Sequence, residues 1–160
     1  MEKLTDTLCL QCGMCCNGVL FADVRRERID PSPLFEQHGS RVAQPCPAFN
    51  FGTCACAIYA GRPARCRTFE CRQLLGVRNG TIPTKNALRQ IRAARKLVSK
   101  IEKLLGQLGF NDAKLPLKSR FEKCRNAVES EKIPAADLGI LARLQLAFHR
   151  LNLLLAEKFL

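Results

Sequence analysis

The chain has 160 residues, 47% of them hydrophobic, and no run of about 18 or more apolar residues that would mark a membrane span. That length suits one domain, or one small domain with a helical appendage. The net charge of +12 is uneven: residues 1–75 carry nine Lys/Arg against seven Asp/Glu (+2), and residues 76–160 carry seventeen against seven (+10).

The opening Met1-Glu2-Lys3-Leu4-Thr5-Asp6 has no basic stretch followed by an apolar one, so it does not read as a signal peptide. A cytoplasmic location is expected, where thiols stay reduced and clustered cysteines bind metal more often than they form disulfides.

Residues 1–8 read as a lead-in. Cys9-Leu10-Gln11-Cys12-Gly13-Met14-Cys15-Cys16 then places four thiols in eight residues, as C-x-x-C-x-x-C-C. Cys46, Cys54, Cys56, Cys66 and Cys71 follow, so nine of the ten cysteines lie in the first 71 residues. Nine is odd, which further disfavours a disulfide framework. This stretch is punctuated by Gly and Pro and has few large aliphatic residues, so a metal staple is expected to hold it together. A short strand is predicted around Gly18-Val19-Leu20-Phe21. Asp30-Pro31-Ser32-Pro33 forms a turn into a short helix over Leu34–His38. Another short helix is predicted over Ala64–Leu75, with Pro63 near its first position.

Gly76–Pro83 is the expected boundary, dividing a cysteine-rich metal-binding lobe (1–75) from a basic helical region (76–160). Thr84 is a candidate N-cap for a helix to Leu108, with Leu88, Ile91, Val98, Ile101, Leu105 and Leu108 on one face. Arg89, Arg92, Lys96, Lys100 and Lys103 fall opposite, and Gly109 ends it. A second helix fits Leu117–Glu131, with Leu117, Phe121, Cys124 and Val128 on one face. A third begins at Pro134 and runs to Lys158, so rich in leucine that more than one face should be covered, in a bundle or at an interface with another chain. The fold class is therefore mainly α: an irregular cysteine-rich lobe followed by a small C-terminal helical bundle.

Thiolates are soft ligands that select zinc or iron–sulfur clusters. Three thiols at C-x-x-C-x-x-C can surround part of a cubane, and a remote Cys-Pro, here Cys46-Pro47, can complete such a set. Cys15 and Cys16 are adjacent, so their side chains point apart, which hints at a second ion or a spare thiol. His38 and His149 are not spaced as finger ligands, so an all-cysteine ligand set is the simplest account. Cys124, alone on an apolar helix face, reads as a buried small hydrophobe.

C-x-x-C-x-x-C-C at Cys9–Cys16, Cys46-Pro47, Cys56-Ala57-Ile58-Tyr59 and Arg62-Pro63-Ala64-Arg65-Cys66-Arg67-Thr68-Phe69 together resemble the CxxCxxCC, or YkgJ-like, cysteine-cluster family. That family is described as zinc- or iron-chelating and sometimes as iron–sulfur-cluster-containing. The resemblance covers roughly residues 9–71 and implies Cys9, Cys12, Cys15, Cys16, Cys46, Cys56, Cys66 and Cys71 as metal ligands. Cys54 departs from the family pattern. Some larger members are flagellin lysine methylases, but this chain lacks their extra length, which leaves methyl transfer a minor reading.

Arg62 and Arg67 either donate to cluster sulfur or an anionic substrate, or simply hold the metal loop together with Tyr59; the second reading is favoured. The leading functional expectation is a metal protein with an iron–sulfur cluster, or zinc, serving redox chemistry or metal handling. The alternative is a zinc-stapled module whose basic helices bind nucleic acid or an acidic partner. Few aromatic residues and no nucleic-acid motif weaken that alternative. The leucine-rich third helix is the expected site for any protein partner or second copy; no membrane contact is expected.

Overall fold

The computed structural model describes residues 2–130, 134 and 137–160, with side chains from Thr7 onward. In chain order it has α1 (Glu2–Cys12), β1 (Asp23–Arg25), α2 (Pro33–His38), β2 (Arg41–Ala43), β3 (Phe49–Asn50) and β4 (Ala55–Cys56). A 3-10 turn at Tyr59–Gly61 leads to α3 (Ala64–Thr68), α4 (Arg72–Arg78), α5 (Thr84–Gln107), α6 (Leu117–Glu129) and α7 (Leu138–Lys158). The class is the expected one: mainly helical, with the cysteines in a region of little regular structure.

The helix α5 is the spine of the molecule. Ala87, Ile91, Ala94, Val98, Ile101 and Leu105 are buried along it at alternating spacings of four and three, a single helical stripe. The stripe runs through Ala87 rather than the expected Leu88, which is half-buried. The pairing of α5 with α7 is the most extensive between helices among the described residues. Arg89, Arg92, Lys96, Lys100 and Lys103 are exposed on the other side, as expected. Pro83, not Thr84, occupies the capping position, and Thr84 is the first helical residue. The helix closes as its pattern suggested. Gly109 has φ +82°, its N–H donates to the Gly106 carbonyl, and the Phe110 N–H donates to the Leu105 carbonyl at 2.8 Å. That bond pair satisfies carbonyls the helix cannot.

On α7 the buried face is Leu141, Leu144, Ala147, Phe148, Leu151 and Leu155. The expectation that its leucines are covered on more than one face is not met among the described residues of the chain. Leu138, Leu146 and Leu153 stand outside the stripe and are exposed. By length and apolarity alone α7 could cross a membrane, yet its apolar stripe is packed in the helical core and Arg143 and Arg150 lie on its open side. The ring of Phe148 stacks on Phe121 of α6, with centroids 4.0 Å apart. Predicted ends differ modestly. The second helix stops at Glu129, with Glu131 outside the described residues, and the third begins at Leu138 rather than Pro134, with 135 and 136 likewise outside.

Three local predictions in the cysteine-rich part are corrected. The lead-in is helical: α1 packs on α5, Leu8 is buried, and Arg95 Nη1 donates to the Gln11 carbonyl at 2.6 Å. The strand lies at Asp23–Arg25 rather than 18–21, because its antiparallel partner Arg41–Ala43 aligns Val24 with Val42, and both are buried. The helix expected over Ala64–Leu75 is two helices. Phe69 leaves the helical path, its ring meeting Phe21 edge-on at 4.9 Å, and Cys71 caps a fresh start. Leu8, Met14 and Leu74 share the large core with α5, α6 and α7, while Val24, Leu34, Phe35 and Val42 form a second, smaller core.

Candidate metal centre

The last turn of α1 carries Cys9 and Cys12, and Gly13 turns the chain sharply. Its φ is +67°, and its N–H donates to the Cys9 carbonyl at 3.0 Å. A Cβ at Gly13 would lie 2.8 Å from Cζ of Phe49 and 3.3 Å from Sγ of Cys54, so β3 rests directly on this glycine. The turn buries Met14 and projects Cys15 and Cys16 beyond it.

Each remaining cysteine returns by its own strut. The Cys46 N–H donates to the Cys16 carbonyl at 2.8 Å. Cys56 is the β4 partner of Phe49. Asp30, buried, accepts the Ser32 N–H on Oδ1 and the Ala64 N–H on Oδ2 at 2.7 Å, which fixes the start of α3 and so places Cys66. Cys71 occupies the N-cap of α4, whose Gln73 donates from Nε2 to the Lys158 carbonyl.

The outcome is a cavity of about 1020 Å³ whose wall includes Cys9, Cys12, Cys15, Cys16, Cys46, Cys56, Cys66 and Cys71, every cysteine the sequence singled out. Cys54 lines it as well, with φ +53°. Cys124 is buried in the helical core, and His38 and His149 are exposed away from the cavity. No disulfide joins any of the ten cysteines.

Burial pushes the Cys12 thiol from its ordinary 9.0 up to about 12, with like-charge repulsion from Cys71 and Cys9 adding to it. Cys15 is pushed well above 9.0 by burial and then by Cys12, Cys16 and Cys71. Burial, then Cys46, Cys66 and Cys56, carry Cys16 to about 12. Cys66 rises to about 11 through burial, Cys46 and Cys56, against the pull of Arg62. Crowded, desolvated thiols of this kind keep their protons at neutral pH unless a cation enters among them.

Among the described residues, no three His, Cys, Asp or Glu side chains are already arranged to hold one metal ion. The thiols surround the cavity without meeting at a point. The donor set nevertheless fits a soft metal. It is rich in sulfur, and the same wall carries Arg25, Arg26, Arg62, Arg65, Arg67 and Arg78 against Asp23, Glu27 and Glu70, with Arg25 paired to Asp23 and Arg78 to Glu70, and the excess positive charge would offset that of thiolates. Arg62 stacks its guanidinium on Tyr59, 3.9 Å from the ring centroid, and its buried Nε has no hydrogen-bond partner among the described residues. A buried donor lacking an acceptor is costly, and a thiolate or sulfide sulfur beside Cys66 would supply one.

Sequence reasoning missed three supports. Asp30 read only as a turn residue, although Asp-Pro-Ser-Pro carries the signal for a side chain that accepts the N–H two residues on. Arg95 on α5 and the Gln73–Lys158 contact join segments 84 and 85 residues apart, and no local signal marks them.

The molecule is thus a mainly helical protein built round a cysteine-walled cavity. Residues 8–96 match the family model CxxCxxCC, whose title is "Putative zinc- or iron-chelating domain", and the chain belongs to that family. No curated protein and no solved structure matches it.

Proposed function

We propose that this protein carries an iron–sulfur cluster on cavity thiolates and uses it for electron transfer or metal handling in the cytoplasm. The observation that carries the reading is the nine-cysteine wall, in which the thiols surround a space instead of converging on a point. A cluster brings its own sulfide and spreads its metal atoms, so it suits such a ring better than a lone zinc ion. When bound, it would supply one-electron redox chemistry. The chain's residues would supply ligands from the eight cysteines of the family pattern and a compensating charge from Arg62.

Anaerobic purification with an absorption spectrum and iron, zinc and acid-labile sulfide counts tests this directly. A brown protein with iron and sulfide in a ratio near one is expected. A colourless protein with stoichiometric zinc would overturn the cluster.

The exposed basic side of α5 favours a second reading, in which zinc is a structural staple and the helices bind nucleic acid. Retention on nucleic acid that falls steeply with salt would support it. No binding at low salt would end it.

A further inference from the structure

We infer that the cavity thiols divide into two four-cysteine sets, each holding its own metal centre, with Cys54 outside both. The inference rests on the metal-binding reading above and deepens it. One set is Cys9, Cys12 and Cys15 with Cys71; the other is Cys16 with Cys46, Cys56 and Cys66.

Packing separates them. Cys12 and Cys71 lie against the large helical core, whereas Cys46 and Cys66 lie against the small core of Val24, Leu34, Phe35 and Val42. Backbone geometry agrees. α1, with Cys9 and Cys12, packs on α4, which Cys71 caps. Cys46 is hydrogen-bonded through its N–H to Cys16, and the β3–β4 hairpin that follows it brings in Cys56. Cys15 and Cys16, adjacent in the turn that follows Gly13, are the hinge between the sets.

On this division the Cys-Pro at 46–47 does not join the first three thiols as ferredoxin spacing suggested; Cys71, against the same large core as Cys12, takes that place. Cys54, in the turn between β3 and β4, sets its Sγ against Gly13, 3.3 Å from where a Cβ there would lie. Each thiol that ligates releases its proton to solvent, and no electron moves in the loading step.

The test is metal content per chain in the wild type, Cys71→Ala, Cys56→Ala and the double variant, with Cys54→Ala and Cys124→Ala as controls. Each single variant should keep about half of the wild-type metal, the double variant almost none, and the controls all of it. Variants that unfold are covered by titrating the reduced, metal-stripped wild type with Co²⁺. Thiolate-to-cobalt absorption should then saturate at about two equivalents. Saturation at one equivalent, or loss of all metal from either single variant, would overturn the division while leaving metal binding intact. A wild type that binds no metal at all would overturn both readings.

Discussion

The backbone N–H of Arg72 donates to the carbonyl of Phe159 at 3.1 Å, tying the residue after Cys71 to the residue after α7. The Arg72 side chain adds bonds from Nη1 to the Ala156 and Glu157 carbonyls, so the open carbonyls of the last turn of α7 are capped by a cation from the cysteine-rich part. Phe159 is 1% exposed and also lines the cavity. The helical half therefore sets the position of Cys71. Phe159→Ala should destabilise the fold by about 3–5 kcal/mol and lower metal retention. Leu160→Ala, at an exposed position, should stay within about 0.5 kcal/mol of wild type. Thermal melts with metal analysis check both, and an unchanged Tm for Phe159→Ala would refute the link.

Gly13→Ala meets two penalties. Its φ of +67° costs a side chain about 1–2 kcal/mol, and the contact with Phe49 adds roughly 1–3 kcal/mol of overpacking. At Gly109, φ is +82° but nothing among the described residues lies within 4 Å, so Gly109→Ala should show the conformational cost alone. Urea midpoints for the two variants should differ, with Gly13→Ala the weaker. Equal midpoints would mean that β3 does not rest on Gly13.

Asp30→Ala leaves the Ser32 and Ala64 N–H groups without their acceptor, and should cost about 1–3 kcal/mol. Asp30→Asn keeps one carbonyl oxygen and should cost less. Chemical denaturation gives both values, and a neutral Asp30→Ala would remove Asp30 as the strut behind Cys66.

Because burial holds Cys12 and Cys16 near 12 and Cys66 near 11, metal must displace a proton from each ligand at neutral pH. The sign follows: protons compete, so apparent metal affinity rises with pH throughout the range below those values. Each proton displaced contributes about tenfold per pH unit, and a four-cysteine set displaces roughly four. Competition against a chelator of known pH dependence at pH 6, 7 and 8 should show this steep rise. A flat profile would mean that these thiols are not the ligands.

Much of the helical half is legible in the sequence because its signals are local. The α5 stripe repeats within the helix, and Gly109 stands where the chain must turn left-handed. The errors fall where distant segments decide. The strand at Asp23–Arg25 exists because Val42 returns to face Val24, and α1 is a helix that packs on α5 and is held by Arg95. The same holds at the site. The cysteines declare themselves as a set, but their grouping depends on the struts at Cys16, Asp30 and Gln73, which bring residues 30 or more apart in the chain together.

X-ray absorption at the iron and zinc edges of the anaerobically purified protein tests the central claim, metal held by thiolate alone, most directly. A first shell of sulfur at about 2.3 Å with no nitrogen or oxygen is predicted, together with iron–iron scattering from a cluster. Nitrogen or oxygen in that shell, or iron without a metal neighbour, would contradict the account.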